Sequence, residues 1–151
     1  MKLRWFCLLL LAGCFKAPEP KTPTYSGLGK PRAPALEKRE LSIENATLGI
    51  EILKRGDGPE VKEGNTVHVH YEGTFTDGTA FDGTGPGGSP FTFVLGQPGV
   101  IRGWQEGVLG MQLGEKRRLT IPPELGYGSR RTGLIPPNST LIFEIELVGM
   151  D

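Results

Sequence analysis

The chain has 151 residues, which is long enough for one domain with its own hydrophobic core and hardly for two. Its 37% hydrophobic residues are typical of a globular protein, while 23 glycines and 13 prolines indicate many turns. The 17 basic and 17 acidic side chains give a formal net charge of zero, so the charge does not favour a nucleic acid as a partner.

The N-terminal residues have the pattern of a secretory signal. Lys2 and Arg4 precede a short apolar run over residues 5–11. This run is too short to span a bilayer, which takes about 20 apolar residues. The following residues Leu-Ala-Gly-Cys, at 11–14, resemble the lipobox of bacterial lipoprotein signals. An ordinary signal peptide is the alternative.

The lipobox resemblance implies that residues 1–13 are removed and that the Cys14 thiol carries a lipid. We therefore expect an exported protein held at a membrane, on the periplasmic or cell-surface side. Phe15, not an aspartate, follows Cys14, which in a Gram-negative lipoprotein would indicate the outer membrane. Because Cys7 and Cys14 are the two cysteines of the chain, the mature domain should have neither a disulfide nor a thiol nucleophile.

Residues 14–40 are predicted to be a disordered tether between the lipid and a domain over residues 41–151. The segment is rich in proline and poor in large apolar residues, so it cannot offset the entropy of ordering. Residues 15–40 carry 6 basic and 3 acidic side chains, whereas residues 41–151 carry 9 and 14. The positive charge would weakly favour anionic headgroups, but a solvated linker is the simpler interpretation.

From residue 41 onward, the alternation of apolar and polar residues predicts short strands with one buried face. Five segments show it, namely TLGIEILK (47–54), NTVHVHYE (65–72), PFTFVLG (90–96), EKRRLTI (115–121) and TLIFEIELV (140–148).

One segment, VIRGWQEGVLGM over residues 100–111, predicts a short helix. Trp104, Val108 and Met111 fall at i, i+4 and i+7 on one apolar stripe, although each glycine in the segment costs roughly 1 kcal/mol relative to alanine. The expected architecture is of the α+β class, an antiparallel sheet of about five strands covered on one side by this helix. The indole of Trp104 lies either in the core or against a cavity.

Six segments resemble, in order and spacing, the FKBP-type peptidyl-prolyl isomerases over about residues 46–151. They are VHYEG (69–73), GTAFD (78–82), PFTFVLG (90–96), VIRGWQEGVLGM (100–111), ELGYG (124–128) and IPPNSTLIFEIEL (135–147). The resemblance implies a half-open antiparallel sheet wrapped around one short helix. It also implies an apolar pocket that takes the proline ring of a peptide or a macrolide inhibitor.

The resemblance assigns roles to nine residues. Trp104 would form the floor of the pocket. The other lining residues would be Tyr71, Phe81, Phe91, Val100 and Phe143. Ile101 would add apolar surface and hold a ligand carbonyl through its backbone N–H. Asp82 and Tyr127 would supply polar contacts at the rim.

The implied reaction, rotation about an X–Pro bond, needs no nucleophile, metal or cofactor. Its barrier of about 18–20 kcal/mol comes from amide resonance. The planar amide is more polar than the twisted one, so an apolar pocket favours the twisted transition state. The partners would be proline-containing segments of exported proteins, and we expect a monomer.

Three alternatives stay open from the sequence. His68 and His70 could bind a metal, but the sequence offers no third ligand near them, so a solvent-facing pair is the simpler interpretation. The domain could also be a membrane-tethered binding module or holdase chaperone that grips proline segments with little catalysis. Finally, it could be a structural lipoprotein whose isomerase activity is vestigial.

The loop after Tyr127 departs from the family pattern. It is one residue shorter than in the best-known single-domain members, and it carries Arg130 and Arg131 in place of a histidine. This difference bears on the preference for residues around the proline and on inhibitor affinity, and it leaves the pocket itself intact.

Overall fold

The computed structural model describes residues 34–151. The predicted signal over residues 1–13, the lipid site Cys14 and most of the predicted tether lie outside the described residues. None of the helices within residues 34–151 has the length and apolar character needed to cross a membrane.

The described chain forms seven strands and one short helix, followed late in the chain by a 3-10 turn at Pro123–Leu125. In chain order the elements are β1 (Glu37–Ile43), β2 (Ala46–Lys54), β3 (Thr66–Phe75), β4 (Ala80–Gly83), β5 (Phe91–Val94), α1 (Arg102–Val108), β6 (Lys116–Ile121) and β7 (Leu141–Met150).

All strands pair antiparallel in one sheet with the order β1-β2-β6-β7-β3-β4, and β5 also pairs with β3. Residues 66–69 of β3 pair with β5, whereas residues 72–74 pair with β4. Because β7 occupies the other edge of β3, the two short strands lie one after the other along the same edge. Tyr71 lies where the pairing passes between them. Thr84 covers this gap by donating its N–H to the Tyr71 carbonyl at 3.1 Å and accepting the Tyr71 N–H on Oγ1 at 3.3 Å.

The predicted antiparallel sheet with one short helix is confirmed, and the five predicted strands correspond to β2, β3, β5, β6 and β7. Two strands were not predicted. Strand β4 has four residues, too few for a visible alternation. Strand β1 is almost wholly exposed on both faces, so it shows no apolar stripe.

Strand β1 corrects the predicted start of the domain. It begins at Glu37, inside the segment 14–40 that we predicted to be a tether, so the sheet starts before residue 41. Backbone pairing with β2 holds this strand from Glu37 to Ile43, and an ion pair between Lys38 and Glu51 at 3.2 Å adds to it. The pairing does not require buried side chains, which explains why composition indicated a linker.

Helix α1 packs closely on β6 because two of its residues are glycines. A Cβ atom on Gly103 would lie 2.6 Å from Ile121 Cγ2, and one on Gly107 would collide with the side chain of Leu119. Ile121 and Leu119 are both fully buried. Glycine costs about 1 kcal/mol of helix propensity at each position, and close packing of the helix on the sheet offsets this cost.

A buried arginine on β6 holds the C-terminal end of α1. Arg117 is 3% exposed and donates to the carbonyls of Gly107 (2.9 Å), Leu109 (3.1 Å) and Gly110 (2.8 Å). It also forms an ion pair with Glu115, which is 4% exposed. A helix leaves its last carbonyls without partners, and here the guanidinium of the adjoining strand satisfies them. The position of α1 on the sheet is therefore set by hydrogen bonds as well as by apolar packing.

Candidate active site

A cavity of about 370 Å³ opens between the sheet and the N-terminal end of α1. Its volume lies in the range of small-ligand pockets. The residues that line it are Tyr71, Asp82, Phe91, Gly99, Val100, Ile101, Trp104, Tyr127 and Phe143. The structure thus brings together eight of the nine residues predicted for the site, and adds Gly99.

Phe81 is the ninth predicted residue, and it does not line this cavity. Its ring packs against Phe143 at 5.6 Å and against Phe75 at 4.8 Å between centroids. Gly73 leaves the room for this contact, since a Cβ atom there would lie 2.8 Å from both the Phe81 and the Phe143 rings. Phe81 therefore supports a wall of the cavity from behind.

Trp104 forms the bottom of the cavity and three rings stand almost perpendicular to its plane. The angles between ring planes are 82° for Tyr71, 86° for Phe91 and 87° for Phe143, with centroid distances of 5.0, 5.9 and 5.3 Å. Edge-to-face packing of this kind is favourable for aromatic rings. The indole is 4% exposed because these rings and Phe93 pack around it, and it still lines the cavity. The arrangement is an apolar box with an indole floor.

Tyr71 and Asp82 are joined at the rim by a hydrogen bond. The Tyr71 hydroxyl donates to Asp82 Oδ2 at 2.9 Å, and the Gly83 N–H donates to Asp82 Oδ1 at 2.8 Å. Burial, together with the hydrogen bond to Asp82 and its negative charge, raises the pKa of Tyr71 to about 12. Tyr71 therefore stays protonated at neutral pH, and the carboxylate fixes its ring as a wall.

Two hydrogen-bond donors at the mouth of the cavity lack partners among residues 34–151. The Tyr127 hydroxyl is one, and burial followed by the charge of Asp82 raises its pKa, which keeps the proton in place. The other is the backbone N–H of Ile101, the residue that precedes α1. The Ile101 carbonyl, in contrast, accepts from the N–H of Trp104 at 3.0 Å. Both donors can bind carbonyl oxygens of a peptide.

Sequence reasoning missed two residues that position this site. Gln105 accepts the Gly96 N–H at 2.8 Å and donates to the Gln97 carbonyl at 2.8 Å, which fixes the loop before Val100. Nothing in the sequence distinguishes this glutamine from a solvated one. Arg117 was also missed, although the period of two along β6 places it on the same face as Leu119 and Ile121.

The two histidines of β3 have separate partners on the sheet. His68 contacts Thr92 Oγ1 at 2.8 Å and Asp151 at 3.0 Å, and His70 contacts Thr84 Oγ1 at 3.2 Å. Within residues 34–151, no group of three or more histidine, cysteine, aspartate or glutamate side chains could hold a metal ion.

Comparison with known proteins identifies the family of this fold and cavity. The family model described as FKBP-type peptidyl-prolyl cis-trans isomerase matches residues 58–148. The chain belongs to this family. It is therefore a peptidyl-prolyl isomerase, and the alternative of a binding module or holdase with little catalysis is not favoured.

Relatives and a solved structure show how far the similarity extends. FK506-binding protein 1A of Neurospora crassa is 53% identical over 105 residues, which is 68% of this chain and 88% of the relative. FK506-binding protein of Neisseria meningitidis serogroup A is 50% identical over 103 residues, covering 68% and 94%. The crystal structure of AtFKBP13 matches with a TM-score of 0.65 at 40% identity, covering 69% of this chain and 93% of that one.

Proposed function

We propose that this isomerase is exported, that a lipid on Cys14 anchors it to a membrane, and that it accelerates folding of exported proteins by rotating their X–Pro bonds in the aromatic cavity. The observation that carries the catalytic part is the indole floor with three perpendicular rings, together with two donors at the mouth that have no partner among residues 34–151. The anchoring part is supported by the lipobox-like residues at 11–14 after a basic and apolar leader.

The proposed mechanism is selective stabilisation of the twisted amide. The proline ring would lie on the face of Trp104 between the walls formed by Tyr71, Phe91 and Phe143. Ile101 N–H and the Tyr127 hydroxyl would hold carbonyls on either side, leaving the prolyl bond free to rotate. Since the planar amide carries the larger dipole, the apolar walls disfavour it more than the twisted state. Each 1.36 kcal/mol of this difference accelerates rotation about tenfold.

Asp82 acts on the reaction through Tyr71 and through its charge at the rim. Its hydrogen bond from the Tyr71 hydroxyl holds one wall of the cavity. We expect Asp82→Ala to reduce kcat/KM by roughly 5- to 20-fold, because a hydrogen bond to a charged group contributes about 1.5–3 kcal/mol and only part of this affects the transition state.

The test of the catalytic proposal compares Trp104→Phe with Phe93→Leu in an assay of cis-trans exchange on proline peptides. Phe93 packs against Trp104 at 5.7 Å between centroids but does not line the cavity. Trp104→Phe should lower kcat/KM at least tenfold while the chain stays folded, because it removes floor area that the proline ring contacts. Phe93→Leu should reduce stability with little effect on kcat/KM. Equal activity of both variants and the unaltered chain would contradict the assignment.

The same cavity should take a macrolide of the FK506 type, since relatives that are 53% and 50% identical to this chain are named FK506-binding proteins. In the full chain carrying Trp5→Phe, Trp104 is the remaining tryptophan, so its fluorescence reports on the cavity. Saturable quenching by the macrolide, together with loss of exchange activity, is the expected result. An unchanged emission with unchanged activity would exclude macrolide binding at this floor.

The anchoring proposal is tested by expressing the full chain and its Cys14→Ser variant in a bacterium supplied with a labelled fatty acid. We expect the unaltered chain to be labelled and to sediment with membranes, and the variant to be unlabelled and released. Label on both forms, or on neither, would argue against lipidation at Cys14. Sedimentation equilibrium of the purified protein in detergent checks the proposed monomer.

A further inference from the structure

Two adjacent arginines in the loop after Tyr127 lack ion-pair partners in the described part of the chain. Seven of the lysines and arginines within residues 34–151 form ion pairs with carboxylates, Arg117 and Arg118 among them. Arg130 and Arg131 pair with no described carboxylate, and both side chains are exposed. Their charges therefore face solvent without a counter-charge.

Backbone hydrogen bonds hold these arginines beside the cavity. The Arg130 N–H donates to the Tyr127 carbonyl at 3.3 Å, so the two Cα atoms lie within about 7 Å, the limit for the ends of a turn. At the base of the loop, the Asn138 N–H donates to the Gly128 carbonyl at 2.8 Å. At its tip, Thr132 and Ile135 exchange two hydrogen bonds of 3.1 and 2.9 Å, and Ile135 is buried in the core at 7% exposure. The backbone of the loop is thus held at its base and at its tip, which keeps Arg130 and Arg131 close to the mouth of the cavity.

The charges near this mouth leave the two arginines available to a ligand. Asp82 is the acidic residue of the cavity lining, and its two oxygens already accept hydrogen bonds from the Tyr71 hydroxyl and the Gly83 N–H. Glu124, three residues before Tyr127, forms no ion pair with either arginine in the described chain. Residues 41–151 carry 9 basic and 14 acidic side chains, so these two adjacent cations stand against a net negative charge of this part of the chain.

We propose that Arg130 and Arg131 determine substrate specificity, selecting client segments that carry an acidic residue within about three positions of the proline. Extended chain advances about 3.3–3.6 Å per residue, so such a residue lies roughly 7–11 Å from the proline ring. Since the Cα atoms of Tyr127 and Arg130 lie within about 7 Å of each other, we take the arginine side chains to be within reach of such a residue. The inference rests on the proposed assignment of the cavity as the prolyl site.

The test measures kcat/KM of the full chain on proline peptides that differ at one position, with glutamate, glutamine or lysine two residues before or after the proline. At about 0.02 M salt, charges act over tens of ångströms, and at about 1 M they are screened within a few. We expect glutamate peptides to be preferred over lysine peptides by about 3- to 10-fold at low salt, the range of one or two exposed ion pairs. The preference should fall below about twofold at high salt.

Matched variants distinguish the effect of these two arginines on the preference from the effect of the net charge of the domain. Arg130→Gln/Arg131→Gln should abolish the preference and leave turnover of the glutamine peptide within about twofold, since neither residue lines the cavity. The control is Arg39→Gln/Lys62→Gln, which removes two other cations that have no ion pair within residues 34–151 and should keep the preference. Arg130→Glu/Arg131→Glu should invert it toward lysine peptides.

The possible results distinguish the specificity role of the arginines from the proposed assignment of the cavity as the prolyl site. Equal turnover of glutamate and lysine peptides at low salt would overturn the specificity role while the isomerase site stands. Equal loss of the preference in the control pair would also overturn it, because the effect would then be one of net charge. Failure of the unaltered chain to turn over even the glutamine peptide would overturn the cavity assignment and the specificity role together.

Discussion

Arg117→Met removes the buried cation that joins β6 to the end of α1. The carbonyls of Gly107, Leu109 and Gly110 lose this donor. The Glu115 carboxylate, at 4% exposure, loses its counter-charge and keeps, within residues 34–151, only the hydrogen bond from the Gln112 N–H at 2.9 Å. Burial lowers the pKa of Arg117, while the hydrogen bond and charge of Glu115 act to raise it. Because an arginine guanidinium stays protonated in proteins, the unaltered chain contains a complete ion pair.

The loss of stability should be large. Removing one partner of a buried ion pair costs about 3–5 kcal/mol, because the other charge is left without compensation. A domain of this size has about 5–15 kcal/mol in total, so Arg117→Met would remove a substantial fraction of it. The midpoint of thermal unfolding should fall by roughly 12–20 °C. Since α1 carries Trp104, the variant should also lose isomerase activity while still folded.

Urea unfolding of four forms of the chain tests this reasoning. Beside the unaltered protein and Arg117→Met, the double variant Glu115→Gln/Arg117→Met removes the unpaired charge and should regain at least about 2 kcal/mol. Lys62→Met, at an exposed position without an ion pair in residues 34–151, should change stability by less than about 0.5 kcal/mol. A loss below about 1 kcal/mol for Arg117→Met, or a double variant no more stable than the single one, would refute the role of the buried pair.

Three further predictions concern helix packing and ionisation. Gly107→Ala should lower the free energy of unfolding, measured in urea, by about 1 kcal/mol. Overpacking against Leu119 costs about 1–3 kcal/mol, which exceeds the roughly 1 kcal/mol gained in helix propensity. A variant more stable than the unaltered chain would show that helix propensity outweighs packing. Stability should also fall as the pH rises from about 10 to about 12, because Tyr71 has a pKa of about 12 against an ordinary value of 10.0 and the unfolded chain loses this proton first. Tyr71→Phe should flatten that slope in thermal scans. Burial raises the pKa of Glu144, but hydrogen bonds from Arg118 and a neighbouring lysine outweigh it and lower the pKa below 4.5. Stability should therefore fall as the pH drops below 4.5, and less so in Glu144→Gln.

Five strands could be predicted because apolar and polar residues alternate along their sequences, and in most of them this alternation follows the buried face. In β3, for example, Val67 and Val69 are fully buried whereas His68 and His70 are not. Strand β1 gave no such signal, because its stability comes from backbone pairing and ion pairs that any polar sequence can make. The residue at which β1 begins is set by its pairing with β2 and not by its own composition.

The site could be predicted in outline because the family resemblance assigns a role to each residue that matches a family motif. Eight of the nine predicted residues line the cavity. Phe81 lies behind Phe143 because Gly73 leaves room for the two rings to meet. This contact joins residues that are distant in the sequence, so no local pattern predicts it. Arg117, in contrast, helps to position the site and was not predicted. The period of two along β6 predicts which face it lies on, but its carbonyl partners belong to the last turn of α1 and the two residues after it, seven to ten residues earlier in the chain.

The sequence by itself determined the fold class, because the alternation of apolar and polar residues is a local property of each strand. Through its resemblance to a known family it also indicated eight of the residues that line the cavity. The tertiary structure alone decided how deep that cavity is, where the domain begins, and which charges are satisfied. Those features depend on distances between segments far apart in the chain, as in the ion pair of Arg118 with Glu51, 67 residues earlier, at 2.9 Å. Packing fixes such distances only when the whole sheet has closed around the helix.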